Sequence, residues 1–88
     1  MQQVEVQVFG VLRNHWPSGR VNVELSALST GADLKRELIR LAGIGGAADK
    51  VAGILGTCAL ARSEGLIEES TVLGRLTGIA VLPPVCGG

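Results

Sequence analysis

Two short stretches of strict alternation limit this chain more than anything else in it. In VEVQV, residues 4–8, Val4, Val6 and Val8 alternate with Glu5 and Gln7; in VNVEL, residues 21–25, Val21, Val23 and Leu25 alternate with Asn22 and Glu24. A two-residue period is that of a β-strand with one face in a core and the other in water. Between the runs lies LRNHWPSGR, where Pro17, Ser18 and Gly19 supply turn chemistry, so the pair is expected to form an antiparallel hairpin with a long loop. A lone hairpin is marginal in water, and its apolar face needs a partner layer.

The sequence offers one from Thr30 onward. Leu34, Leu38 and Leu41 recur at helical spacing, with Lys35, Arg36, Glu37 and Arg40 assigned to the opposite, solvent face. Thr30 is suited to cap the first turn, Asp33 places a carboxylate at the positive end, and Gly43 is expected to close the helix in a left-handed cap. This helix should pack its leucines onto Val4, Val6, Val8, Val21 and Val23. Further on, ILGTCALA (54–61) reads as a buried strand with Cys58 as a small core residue, LIEESTVLGRL as a short edge strand with a turn, and GIAVL (78–82) as a last strand that Pro83 stops. The expected organisation is one α+β domain over residues 1–82, followed by a flexible extended tail over residues 83–88.

Composition narrows the functional classes. With 88 residues, the chain can bury a core but has little room for a deep catalytic cleft. Lys plus Arg and Asp plus Glu number 8 each, so no basic stripe is available to follow a phosphate backbone, and nucleic acid is not an expected partner. Apolar residues make up 47% but aromatics only 2%, which predicts a light aliphatic core and leaves apolar surface for another protein. A single histidine and two separated cysteines form no metal-ligand pattern. His15, beside Trp16 in the hairpin loop, has no nucleophile or carboxylate partner and is read as a turn residue. The glycines of AGIGGAAD follow a helix instead of joining a strand to a helix start, so they are not a phosphate loop. With neither a signal-peptide pattern nor an apolar run near 20 residues, no membrane segment is expected and the expected location is the cytoplasm.

The sequence ends LPPVCGG. A hairpin, a helix laid across a mixed sheet, a last strand and a Gly-Gly end together resemble the ubiquitin-like β-grasp sulfur carriers, most of all the small subunit of molybdopterin synthase, with the thiamine-pathway carrier as a cousin. The specific part of the likeness is AVLPPVCGG: a strand, Pro83-Pro84-Val85, one variable residue and Gly87-Gly88. Leu76, Thr77 and Gly78 depart from the Gly-Asp turn and acidic residue common in that family, and Val81-Leu82 stand where aromatic residues are frequent.

The resemblance implies a β-grasp fold with a sheet of four to five strands and one main helix. It also implies a protein cosubstrate in place of an enzyme, with no catalytic residues, bound cofactor or metal of its own. Gly88 would be adenylated by a partner activating enzyme that uses ATP and magnesium. It would then be converted to a thiocarboxylate by a persulfide or sulfide donor and presented to a sulfur-accepting synthase subunit, with molybdopterin synthesis as the favoured pathway. Pro83, Pro84, Val85, Cys86 and Gly87 would thread the partner's channel, with Phe9 and Leu82 on the docking surface. Glycines without Cβ atoms suit a narrow channel, and six extended residues reach about 20 Å. Cys86 is not expected to be the delivered sulfur. Thiamine, cysteine or another sulfur-containing product are the alternative destinations, and conjugation through Gly88 as a ubiquitin-like modifier is the alternative chemistry.

Overall fold

The computed structural model describes residues 2–83. Strands β1 (Gln2–Val8) and β2 (Arg20–Leu25) form the hairpin, antiparallel, with Val4 opposite Val23 and Val6 opposite Val21. The alternation sorts as predicted: Val4, Val6, Val8, Val23 and Leu25 are buried, while Glu5, Gln7, Asn22 and Glu24 are exposed. The connecting loop holds a 3-10 helix, Gly10–Asn14, pinned by buried Leu12. Trp16 packs against the edge of the core, with the His15 ring edge-on to it at 4.5 Å.

Helix α1 (Gly31–Ile44) starts after Thr30. The Thr30 hydroxyl accepts the Asp33 N–H at 3.2 Å, and the Asp33 carboxylate accepts the Thr30 N–H at 3.0 Å, so two of the helix's otherwise unpaired donors are satisfied reciprocally. Leu34 and Leu38 are fully buried and Leu41 half-buried. Two expectations are corrected here. Gly43 does not close the helix, which continues to Ile44 and is capped by Gly45 at φ −92°, outside the left-handed region. Nor does Lys35 face solvent. The buried stripe is Gly31, Leu34, Lys35, Leu38 and Ala42, rotated from the leucine stripe because the small Gly31 and Ala42 allow neighbouring segments to close over that side.

A second helix, α2 (Ala48–Leu55), was not expected, and it displaces the strand assigned to residues 54–61. Ile54 and Leu55 end α2, a turn follows, and β3 is Ala59–Arg62. Val51 and Leu55, one turn apart, are what bury α2. The short edge strand β4 (Gly65–Ile67) and the last strand β5 (Ile79–Leu82) form as read. The sheet order is β2-β1-β5-β3-β4. Within it β5 runs parallel to β1 and antiparallel to β3, which makes the sheet mixed. One core joins residues of both helices with Leu60, Ile79, Val81 and the hairpin valines. Leu76 is buried in it as well. A mixed five-stranded sheet with helices over one face is the β-grasp arrangement.

Candidate functional site

The last strand occupies the middle of the sheet. β5 is hydrogen-bonded to β1 on one side and β3 on the other, with Val8 opposite Val81 and Ala59 opposite Leu82. A central strand is the part of a sheet least able to fray, so Leu82 and Pro83 are held at the end of a well-anchored strand. The start of the hairpin loop lies against that strand end. Gly10 has φ +65°, and a Cβ at this position would sit 2.9 Å from Cγ of Pro83. Both the conformation and the contact require glycine.

Phe9 and Leu82, expected on a docking surface, are brought together by the parallel register, since each directly follows the opposed pair Val8 and Val81. Both are half-buried. The Arg13 guanidinium lies over the Phe9 ring, 5.1 Å from its centroid. On the sheet face away from α1, the register aligns Arg20, Gln7, Ala80, Ala61 and Leu66 in one row across all five strands. The row changes from charged at β2 to apolar at β4, where Leu66 is 75% exposed. The two residues in its centre are small: Ala80, half-buried, and Ala61, buried.

Pro83 is the one residue of the expected tail that is described; Pro84, Val85, Cys86, Gly87 and Gly88 lie outside the described residues. Cys58 is at the opposite extreme of reactivity. It is buried, its thiol donates to the Ile54 carbonyl at 3.2 Å, and burial pushes its pKa up against the opposing pull of the Lys35 charge. A protonated, enclosed thiol is a packing group. Among the described residues no group of three or more His, Cys, Asp or Glu side chains is placed to hold a metal ion, and no helix is long and apolar enough to cross a membrane.

Sequence reasoning missed Gly10 and Arg13. FGVLR carries no period, and a left-handed glycine facing a proline more than seventy residues later leaves no local mark.

No family model matches this sequence, and no curated protein matches it either. Among solved structures the chain is similar to the crystal structure of SAMP1 from Haloferax volcanii, with a TM-score of 0.63 and 21% identity over 99% of this chain and 100% of that one. A likeness of that extent at that identity establishes the ubiquitin-like β-grasp fold.

Proposed function

We propose that this protein is a sulfur carrier whose C-terminal Gly88 bears the sulfur. The observation that carries the reading is the position of β5: the central strand delivers the chain to Pro83 at the sheet end, beside Phe9 and Leu82, and the residues that follow are PVCGG. A carboxylate has no leaving group and resists attack. ATP, with magnesium, in a partner enzyme converts the Gly88 carboxylate to an acyl adenylate and releases pyrophosphate. Sulfide then displaces AMP to leave the thiocarboxylate; a protein persulfide does the same through an acyl disulfide, which a thiol reduces. The product sulfur is anionic and nucleophilic, and a synthase subunit passes it to an acceptor, with a molybdopterin precursor favoured.

The tail's composition suits this work. Two prolines favour an extended path and lose little entropy on docking, while the two glycines keep the acyl carbon open. The catalytic groups belong to the partners. Conjugation of the adenylated Gly88 to a lysine amine is the second reading, and the same fold and tail support it.

Intact-mass spectrometry after incubation with activating enzyme, ATP, magnesium and sulfide tests the proposal. The native chain should exchange one oxygen for sulfur, whereas a chain with one residue added after Gly88, or lacking Gly88, should not. The melting temperature should hardly change in either variant, because residues beyond a strand end contribute little to stability. An isopeptide ladder in place of the sulfur increment selects the modifier reading. Sulfur gained by the extended chain without trimming back to Gly88 overturns the carrier reading.

A further inference from the structure

Most of the basic side chains are already paired. Lys35, Arg36 and Arg40 each lie within 2.8 Å of a carboxylate, Arg75 is bonded to Glu64, and Arg62 donates to the carbonyls of Leu73 and Arg75. Lys50 is a solvated lysine on α2. Arg13 differs from all of these. It has no carboxylate partner among the described residues, yet it is held in place from several directions. Its Nε–H donates to the Val8 carbonyl at 3.2 Å, and its guanidinium covers the Phe9 ring. Gly19 leaves room for it, since a Cβ there would lie 3.1 Å from Nε and 3.3 Å from one Nη. What remains unused is the outer edge of the fork, the part that bonds a carboxylate.

The surroundings fit an anion. Arg13 opens onto a surface hollow of about 320 Å³ shared with Phe9, Ser18 and Arg20, and no carboxylate lines it. The nearest acid on that side, Glu5, is 4.0 Å from Arg20 with both side chains more than half exposed, so it leaves the two guanidinium groups largely uncompensated. Position supplies the rest of the argument. Phe9 precedes Gly10, which lies against Pro83, and Arg13 covers the Phe9 ring, so a protein that receives residues 84–88 and docks on Phe9 at the sheet end meets Arg13. Desolvating a fixed guanidinium without a counter-charge is costly, and a partner that binds here has to present an acid.

We infer that Arg13 is a docking residue: its guanidinium receives an aspartate or glutamate carboxylate of the enzyme that adenylates Gly88, with Arg20 adding field. The inference rests on the adenylation step of the proposed function, and the carrier and modifier readings share that step.

The test is the affinity of the full-length chain for the adenylating enzyme of the same organism, measured by calorimetry without ATP at low and at high salt. Arg13→Ala should weaken binding at least tenfold at low salt, with a much smaller loss at high salt; Arg13→Lys should recover part of the loss. Arg36→Ala, on the opposite side of the sheet, should bind as the parent does. Thermal melting of each variant separates misfolding from lost docking, and Arg13→Lys keeps the test decisive if Arg13→Ala melts early. Parent-like binding by both folded Arg13 variants, or a loss by Arg13→Ala that salt does not diminish, overturns the inference while leaving the carrier reading intact. If the parent binds and Arg13→Ala does not, but no sulfur is gained, the docking role stands and the carrier reading fails. A parent chain that does not bind at all overturns both.

Discussion

A lysine only 8% exposed must either surrender its charge or find acceptors for it. Lys35 finds two: the Cys58 carbonyl at 2.9 Å and the Glu69 carboxylate at 2.7 Å. The two bonds are not equal. Glu69 is more than half exposed, and water can take the place of its carboxylate, so the net worth of that pair is small. The carbonyl lies at the turn between α2 and β3, where a lost donor is harder to replace. Lys35→Met keeps the packed stem and removes both bonds, and should cost about 1–3 kcal/mol in urea denaturation. Glu69→Gln should cost less than about 1 kcal/mol. The reverse ranking would show that the ion pair, and not the carbonyl bond, is what matters. From the sequence, Lys35 reads as solvated because it stands in the charged run Lys35, Arg36, Glu37. Its acceptors come from residues 23 and 34 positions away, and no local pattern announces them.

At the scale of elements, the sequence disclosed what was specified twice. α1 has both a leucine period and a start signal, and the reciprocal Thr30–Asp33 bonds appear where those two agree. The hairpin has two matching alternations and a turn. α2 has neither advantage: ADKVAGIL contains Gly53 in its last turn, which disfavours helix, and its end runs into the apolar residues of 54–61, whose length suits a strand. Docking of Val51 and Leu55 against the core decides it, and that is tertiary information. The capping box gives the sharper prediction. Thr30→Ala should cost about 1 kcal/mol, with Thr30→Ser close to parent, read as shifts in urea midpoint at constant slope. Acid should reveal the other half of the box. The Thr30 backbone N–H, opposed by desolvation and assisted by the Thr30 hydroxyl and Arg36, holds the Asp33 carboxyl below its ordinary value of 3.8. A lowered folded pKa means stability present above the unfolded value and lost as pH falls through the folded one. Asp33→Asn should therefore lose less stability than the parent between pH 5 and pH 2, and parallel losses would disconnect Asp33 from the acid limb.

The molecule as a whole can be asked whether it opens as one unit. Its core is a single cluster, and Cys58 lies within it, 6% exposed, at the junction of α2 and β3. In a Cys86→Ser chain Cys58 becomes the sole thiol, so its rate of labelling by an excess of thiol reagent reports every opening that exposes it. Two kinds of opening compete. If α2 and the following turn detach locally, labelling is insensitive to core contacts outside that unit; if only global unfolding exposes the thiol, any loss of core stability accelerates it in proportion. Ile79 discriminates between them, since it lies on central β5 opposite Val6, outside α2 and its turn. Ile79→Val should remove about 1 kcal/mol. Because about 1.4 kcal/mol is a factor of ten in an opening equilibrium, labelling of Cys58 should then quicken about fivefold. The expectation is the global mode. α2 is short, but Val51 and Leu55 are each 1% exposed, the Cys58 carbonyl is tied to Lys35 of α1, and the thiol itself is bonded to Ile54, so releasing α2 breaks into the same core that holds the strands. An unchanged labelling rate in Ile79→Val, alongside the expected fall in urea midpoint, would make α2 and its turn a separate unit. The last strand would not be weakened by that result: β5 is held by β1 and β3, and neither pairing passes through α2.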